Sequence, residues 1–211
     1  MISKRLLLIR TGIIAMGLLA AVFIYMDITA SHRRMNQDES IGQTDPSIKI
    51  GGPFSLSDQY GHVVTQDVLK GHWSAVFFGY TYCPDICPLS LQTLAGIKKE
   101  LGDKGRDLQI LFISIDPKRD TPKTLAAYLN SGGFPDHVMG LSGTDDQIKA
   151  VTKAYRVTYE KVGSGSTYSF NHSSTIYVMN PKGEFAIPLA QGLGVKDSAQ
   201  ALKKEMEAWP N

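Results

Sequence analysis

The chain has 211 residues, of which 43% are hydrophobic and 20% charged, and these are the proportions of an ordinary globular protein. Its formal net charge at pH 7 is +2, and no Lys/Arg cluster is interleaved with aromatic residues, so no nucleic-acid partner is expected. Two cysteines are too few for a disulfide framework to stabilise the fold.

The N-terminal segment is basic and then strongly apolar. Lys4, Arg5 and Arg10 precede an uncharged run that ends at Met26. A helix over this run measures roughly 24 Å, and it spans the ~30 Å core of a bilayer if it begins near residue 6 with the Arg10 head at the interface. The run exceeds the apolar core of a signal peptide, about 7–15 residues. We therefore expect a single transmembrane anchor at residues 11–27, with a cleaved signal peptide as the alternative.

The flanks of the apolar run indicate its orientation. Residues 1–10 are expected to form a short cytoplasmic tail, and the mostly polar residues 28–50 a flexible tether. Basic residues lie on both sides of the run, so the positive-inside rule supports this orientation only weakly. Nothing resembles an organellar transit peptide, which favours a bacterial inner membrane with a folded domain, residues 51–211, in the periplasm.

Strands and helices alternate along this domain. An N-terminal β-hairpin is predicted around the turn at residues 58–61, and the apolar run at 73–80 predicts a buried strand. Apolar residues at helical spacing predict a helix from about Leu89 to Leu101. A second apolar strand at 108–115 completes a right-handed βαβ unit with parallel strands.

The rest of the domain contains further helices and a second hairpin. Thr121 and Pro122 predict the start of a helix that ends near Leu129, and Thr144 predicts the cap of another. A strand at 173–179, its antiparallel partner and a C-terminal helix follow. This order predicts an α/β, thioredoxin-like fold with a central mixed sheet flanked by helices.

Both cysteines lie in one motif, Thr81-Tyr-Cys-Pro-Asp-Ile-Cys-Pro88, between the first predicted strand and its helix. In an open α/β sheet, ligands gather at the carboxyl ends of the strands. Cys83 and Cys87 could be inert core thiols or a static disulfide, a dithiol oxidoreductase pair, which usually has Cys-x-x-Cys spacing, or two metal ligands.

The local geometry favours a metal. With Pro84 or Pro88 at the first helical position, both thiols lie at a helix N-terminus, where the dipole favours thiolate, and their spacing places them on one face. Copper(I) prefers soft sulfur ligands, whereas a structural zinc site needs a fourth strong ligand that the sequence does not offer.

A third ligand has to come from elsewhere in the chain. The candidates are the five histidines, at positions 32, 62, 72, 137 and 172. His172 directly precedes the predicted strand at 173–179 and follows a Gly/Ser-rich loop that would let it move. His32 lies in the tether, and His72 lies at the wrong end of the first strand. Isolated histidines are more often surface or hydrogen-bonded residues than ligands, but the position of His172 favours a ligand.

Three segments, in this order, resemble the Sco/SenC family: Phe78-Gly-Tyr-Thr-Tyr-Cys-Pro-Asp-Ile-Cys-Pro88, Ser114-Ile-Asp-Pro-Lys-Arg-Asp-Thr121, and Asn171-His-Ser173 before Tyr177-Val-Met-Asn-Pro-Lys-Gly183. The resemblance covers roughly residues 50–210. It implies a membrane-anchored, thioredoxin-like copper chaperone for cytochrome c oxidase assembly. It also implies that Cys83, Cys87 and His172 bind copper, and that the domain faces the periplasm.

The chain departs from the family at one position and from thioredoxins at another. The family usually has Asp before the ligand histidine, so Asn171 removes a carboxylate that could orient the imidazole. No proline lies between Pro135 and Pro181, so residues 171–173 occupy the place of the cis-proline with which thioredoxins hold substrate chains. This absence weighs against a general disulfide exchanger, and the Thr-x-x-Cys arrangement of a peroxiredoxin is also missing.

We therefore expect a metallochaperone with no assigned catalytic residue, whose partner is a cytochrome c oxidase subunit or another copper protein. The reduced Cys83–Cys87 pair would hold copper, and a redox-active Cys83–Cys87 disulfide would not. A thiol-disulfide reductase that keeps cysteines of an oxidase subunit or another copper protein reduced is the alternative, and a redox or copper sensor is a third possibility. The segment from Asp116 to Thr121 is either a docking loop or a capped turn.

Overall fold

The structure is a computed structural model that describes Val22 and residues 49–190 and 192–209. The predicted cytoplasmic tail, transmembrane anchor and tether fall almost entirely outside these residues. Within the described residues, no helix has both the length and the hydrophobicity that crossing a bilayer requires. The folded domain lies in the second of the two units into which the chain divides, Lys49–Asn211.

A seven-stranded mixed sheet forms the centre of the domain, with the strand order β2-β1-β5-β4-β3-β8-β9. The strands are β1 Ser55–Asp58, β2 Val63–Thr65, β3 Ser74–Gly79, β4 Gln109–Ser114, β5 Met139–Ser142, β8 Ile176–Met179 and β9 Phe185–Leu189. β3 pairs in parallel with β4, and β4 with β5, whereas β8 runs antiparallel to both β3 and β9. Every residue of β3 is buried, as its apolar sequence predicts.

The N-terminal strands join this sheet through β5. β1 and β2 are antiparallel, and Asp58 holds the turn between them by accepting hydrogen bonds from the amides of Tyr60 and His62. β1 also pairs with β5, a strand that the sequence did not predict because it is short and contains Gly140. A Cβ at Gly140 would lie 2.5 Å from Leu129, so the glycine lets a helix pack closely on this strand.

Five α-helices cover the sheet in the part of the chain that the structure describes: α1 Ile86–Leu101, α2 Asp103–Arg106, α3 Pro122–Leu129, α4 Asp145–Ala154 and α5 Val195–Ala208. A 3-10 helix spans Gln66–Leu69. The predicted start of α3 is confirmed, since the Thr121 hydroxyl accepts a hydrogen bond from the Thr124 amide and Pro122 follows the cap. Thr144 caps α4 through a capping box with Gln147. The mixed central sheet and the helices that flank it confirm the thioredoxin-like α/β fold.

A separate two-stranded sheet consists of β6 Tyr159–Val162 and β7 Ser169–His172. The sequence did not predict these two strands, which the predicted Gly/Ser-rich loop connects. The strand expected from residue 173 begins at Ile176. Both hairpin strands are short and partly exposed, so they lack the long apolar run that reveals a strand in a sequence.

The strand directions bring three segments to one edge of the main sheet. β3 and β4 are parallel and end side by side, with Gly79 opposite Ser114. β8 is antiparallel to β3 and begins beside its end, with Ile176 opposite Phe77. The cysteine motif, the segment after β4 and the segment before β8 therefore meet at this edge.

Candidate metal centre

The two cysteines lie on a turn that leads from β3 into α1. The Cys83 amide donates to the carbonyl of Tyr80 at 3.2 Å, and α1 begins only at Ile86. The prediction that both thiols share a helical face is therefore wrong, because Cys83 precedes the helix. They still meet, since the turn places the Cys83 sulfur 3.4 Å from the Cys87 amide, which donates to it.

Neither proline occupies the first helical position. Pro84 lies before the helix, and Pro88 lies in the first turn of α1. A first-turn residue has no intrahelical partner for its amide, so Pro88 costs the helix no hydrogen bond.

Gly79 allows the Cys87 thiol to lie against the end of β3. A Cβ at this position would be 2.7 Å from the Cys87 sulfur and 3.0 Å from the Phe112 ring. Cys87 is completely buried, and Cys83 is 9% exposed. Gly79 is thus part of the site, although nothing in its sequence context distinguished it from an ordinary strand glycine.

The two thiols have opposite acidities in the metal-free protein. The hydrogen bond from the Cys87 thiol lowers the pKa of Cys83, against an opposing effect of burial, and contacts with His172 and the Cys87 amide lower it further. The same hydrogen bond, together with burial, raises the pKa of Cys87. The pair therefore holds one thiolate, on Cys83, and one thiol, on Cys87.

His172 completes the cluster from the opposite side. Its Nε2 lies 3.6 Å from the Cys87 sulfur, and its Nδ1 lies 3.0 Å from the carbonyl oxygen of Ser173. When a metal binds, an Nδ1–H that donates to this carbonyl would leave the Nε2 lone pair free to coordinate it. The ring packs edge-on against Phe77 and Tyr80, with centroid distances of 6.4 and 5.9 Å.

The histidine is carried by a paired strand rather than by a mobile loop. His172 is the last residue of β7 and lies opposite Tyr159 of β6. The next residue, Ser173, donates its amide to the Thr158 carbonyl at 3.0 Å and continues the pairing. The expectation of a loop that lets His172 move is therefore wrong.

The donor atoms of Cys83, Cys87 and His172 all lie within 4.8 Å of one another. Bonds of about 2.0–2.3 Å to one ion would place such atoms about 3.5–4 Å apart, so only a small contraction is needed. Two sulfurs and one imidazole nitrogen form a soft donor set, which suits copper(I). In the part of the chain that the structure describes, this is the one group of three such side chains that could hold a metal.

The other histidines that the structure describes do not join this cluster. His62 pairs with Asp58 in the exposed turn of the first hairpin, at 3.1 Å. His72 lies just before β3, and His137 lies in the connection from α3 to β5 with a φ of 61°. His32 lies outside the described residues.

Asn171 does not take the orienting role considered for the family's aspartate. Its side chain is exposed, and the residue lies opposite Glu160 in the β6–β7 hairpin. The Ser173 carbonyl orients the imidazole of His172 instead.

A buried carboxylate lies beneath the cysteine turn. Asp120 accepts hydrogen bonds from the Thr81 amide at 3.0 Å, the Thr81 hydroxyl at 2.6 Å and the Ser114 hydroxyl at 2.6 Å. Asp120 is fully buried, and this burial raises its pKa. Asp120 belongs to the segment for which the sequence suggested a docking loop or a capped turn, and its contact with the cysteine turn was not predicted.

Relatives of the chain include bacterial and mitochondrial proteins. A SCO2-like protein of Rickettsia prowazekii is 36% identical over 197 residues, which cover 92% of this chain and 95% of the relative. The mitochondrial protein SCO2 of Saccharomyces cerevisiae is 38% identical over 167 residues, which cover 77% of this chain and 55% of the relative.

Similar solved structures include Sco proteins with copper bound. Arabidopsis thaliana ScoI with copper bound matches with a TM-score of 0.72 and 36% identity, over 76% of this chain and 99% of that chain. Bradyrhizobium japonicum ScoI with copper bound matches with a TM-score of 0.67 and 41% identity, over 74% and 99%. The SCO1/SenC family model matches residues 42–207. The chain belongs to the SCO1/SenC family.

Proposed function

We propose that this protein is a copper chaperone that binds copper through the sulfurs of Cys83 and Cys87 and Nε2 of His172, and delivers it to cytochrome c oxidase during assembly. The observation that carries the proposal is the convergence of these three donors to within 4.8 Å, although the cysteines follow β3 of the main sheet and the histidine ends β7 of the hairpin. The copper-bound relatives support the choice of metal.

The protonation states of the pair support metal capture. The lowered pKa of Cys83 provides a thiolate before any metal arrives. Cys87 has a raised pKa, so its proton has to leave when a metal binds, and the binding is coupled to proton release. His172 contributes Nε2, while its Nδ1 lies 3.0 Å from the Ser173 carbonyl oxygen.

Oxidation of the pair would release the metal. If the two thiolates that hold the copper are oxidised to a Cys83–Cys87 disulfide, one S–S bond forms, both sulfur–copper bonds break and two electrons pass to an external oxidant. The disulfide sulfurs carry no negative charge, so the site then lacks the thiolates that copper(I) prefers.

The location follows from the sequence of the N-terminal segment. We propose that residues 11–27 anchor the protein in a bacterial inner membrane, with residues 1–10 in the cytoplasm. Residues 28–50 would then serve as a tether for a periplasmic domain at residues 51–211. Protease treatment of intact spheroplasts tests the topology. Protease added outside should digest the domain. Without protease, the whole protein should be recovered in the membrane fraction.

The alternative, a thiol-disulfide reductase, rests on the position of Cys83 next to a helix N-terminus and a second thiol. The position of His172 Nε2, 3.6 Å from the Cys87 sulfur, favours the chaperone instead, since a reductase needs only the two thiols. Anaerobic titration of the reduced chain with copper(I), beside turnover of a model disulfide, separates the two functions. The chaperone predicts one copper per chain and slow turnover. A stoichiometry far below one with rapid turnover would favour the reductase.

A further inference from the structure

The segment between β4 and α3, residues 115–121, is a rigid loop. Its backbone folds on itself, since the Asp120 amide donates to the Asp116 carbonyl at 2.9 Å and the Thr121 amide donates to the Arg119 carbonyl at 3.0 Å. At its start, the Ile115 amide donates to the Gly79 carbonyl at 2.8 Å, which fixes the loop to the end of β3. We call this segment the 115–121 loop.

One side of the loop holds the turn that carries the cysteines. Asp120 binds both the amide and the hydroxyl of Thr81, which is two residues before Cys83. The Ser114 hydroxyl donates to the same carboxylate and fixes its orientation. Because Asp120 is fully buried, water does not compete for these hydrogen bonds.

The other side of the loop holds the hairpin that carries His172. The hydroxyl of Tyr168 donates to the Asp116 carboxylate at 2.7 Å, and Nη1 of Arg119 donates to the Tyr168 carbonyl at 2.8 Å. The guanidinium also lies 3.6 Å from the centroid of the Tyr168 ring and 4.7 Å from that of Tyr82, on the cysteine turn. Tyr168 directly precedes β7, so these contacts fix the start of the strand that ends at His172.

Contacts between neighbouring side chains connect Tyr168 to the imidazole of His172. Tyr168, Phe170 and His172 occupy alternate positions, and side chains at alternate positions of a strand share a face. The Tyr168 and Phe170 rings are in edge contact at 5.6 Å. Tyr80 accepts a hydrogen bond from the Phe170 amide at 3.2 Å, and its ring also contacts His172.

A role in starting α3 does not explain these side chains. Thr121 alone provides the cap of that helix. Asp116 and Arg119 form a largely buried ion pair whose side chains are 2% and 14% exposed. Burying such a pair carries a large desolvation cost, so it is retained for stability only when its geometry is good. Both members of the pair contact Tyr168, which belongs to the hairpin and not to α3.

We propose that the 115–121 loop positions both halves of the copper site, the cysteine turn through Asp120 and the histidine hairpin through Asp116 and Arg119. These three are positioning residues, since none of them touches the proposed metal. The inference rests on the proposed function, because the distance that the loop sets is the distance between copper ligands. The sequence suggested a docking loop or a capped turn for this segment. In the structure it contacts both ligand-bearing segments, which are far apart in the chain.

The histidine half is tested with Arg119→Gln, and the neighbouring exposed Lys118→Gln is the matched control. Copper(I) affinity of the reduced full chain is measured by competition with a chelator of known affinity. Arg119→Gln should weaken binding by about 10-fold or more, the usual effect of removing a residue that orients a metal ligand. Lys118→Gln should change the affinity less than about 2-fold, as expected for an exposed pair.

A double-mutant cycle separates positioning from general destabilisation. Because the Arg119 guanidinium also contacts Tyr82 on the cysteine turn, the cycle uses Tyr168→Phe, which removes the hydroxyl that binds Asp116. If Tyr168 acts through the imidazole, its substitution should have little further effect in the His172→Ala background. Thr81→Val, which removes one hydrogen bond to Asp120, acts on the cysteine half and should weaken binding in both backgrounds. An equal loss on Tyr168→Phe with and without His172 would overturn the proposal for the histidine half.

A metal-free measurement keeps the inference distinct from the proposed function. Hydrogen exchange of the β6–β7 amides should be faster in Arg119→Gln than in the parent chain, while exchange in β3 and β8 stays the same. Should Arg119→Gln fail to fold, Tyr168→Phe removes only the hydroxyl that binds Asp116, with the exposed Tyr60→Phe as its control. Unchanged exchange in the hairpin would refute the loop's role even if copper binds. If the parent chain bound no copper, but exchange in the hairpin was still faster in Arg119→Gln than in the parent chain, the proposed function would fail and the positioning role of the loop would stand.

Discussion

The Nε2 atom of His172 lies 3.6 Å from the sulfur of Cys87, although the two residues are 85 positions apart. This approach depends on two sheets, since the cysteine follows β3 of the main sheet and the histidine ends β7 of the hairpin. The Ser173 carbonyl oxygen, 3.0 Å from Nδ1, orients the imidazole so that Nε2 faces the cysteines. Both features prepare the site for a metal.

Replacing His172 with Ala should weaken copper(I) binding by more than about 100-fold. Loss of a residue that only orients a metal ligand lowers metal affinity by about 10–100-fold, and this substitution removes a ligand itself. The measurement is a competition titration of the reduced chain. His62→Ala is the control, because His62 lies in an exposed turn and pairs only with Asp58. Unchanged affinity in His172→Ala would remove the histidine from the site.

Replacing either Cys83 or Cys87 with Ser should abolish both tight copper binding and reversible disulfide formation. A serine hydroxyl stays protonated at neutral pH and is a poor ligand for copper(I), which prefers soft sulfur donors. Copper stoichiometry and thiol counts before and after mild oxidation measure the two losses. Retention of one tightly bound copper per chain by Cys83→Ser would contradict the proposed ligand set.

The reduced, metal-free chain should react with iodoacetamide at Cys83 at a rate that stays nearly constant as the pH falls from 8 to 6. The lowered pKa of Cys83 keeps its sulfur ionised over this range, whereas a thiol with an ordinary pKa of about 8.5 loses about tenfold in rate per unit of pH. Cys87, with a raised pKa and complete burial, should react far more slowly. Mass spectrometry of the alkylated peptides distinguishes the two sites, and a tenfold fall per unit at Cys83 would contradict the assignment.

Gly79→Ala should damage the site through packing alone. The added Cβ would lie 2.7 Å from the Cys87 sulfur, so the thiol or the strand has to move. Overpacking of this kind costs about 1–3 kcal/mol in the free energy of unfolding, which chemical denaturation measures, and copper affinity should fall as well. Gly194→Ala is the control, because a Cβ there would approach nothing closer than 3.6 Å. Full copper affinity in Gly79→Ala would show that the site tolerates the displacement.

Asn171→Asp should change copper affinity less than about 3-fold. An aspartate that orients the imidazole would affect affinity by about 10–100-fold, but Asn171 is exposed and the Ser173 carbonyl already binds Nδ1. The same chelator competition measures the change. A tenfold gain in affinity would mean that a carboxylate at this position does reach the histidine.

The sequence predicted the parts of the fold that have strong local signals. β3 and β4 are uninterrupted apolar runs, and Thr121 and Thr144 are helix caps of the expected kind. β5 was missed because it is four residues long and contains a glycine. The β6–β7 hairpin was missed because half-exposed polar strands resemble loops when only one sequence is read.

The site was predictable in its chemistry but not in its geometry. The spacing of the cysteines and the place of His172 in the chain indicated the three donors, which the structure brings together. The helical face proposed for the thiols and the mobile loop proposed for the histidine were wrong, because the start of α1 and the pairing of β7 depend on tertiary contacts. The roles of Gly79 and Asp120 were missed for the same reason, since each depends on a neighbour that is distant in sequence.

X-ray absorption spectroscopy of the reduced, copper-loaded chain tests the central claim most directly, because it identifies and counts the atoms bonded to copper. The proposal predicts one copper per chain with two sulfur atoms and one imidazole nitrogen, and the imidazole signal should disappear in His172→Ala. A spectrum with a single sulfur, or one in which the imidazole signal persists without His172, would contradict it.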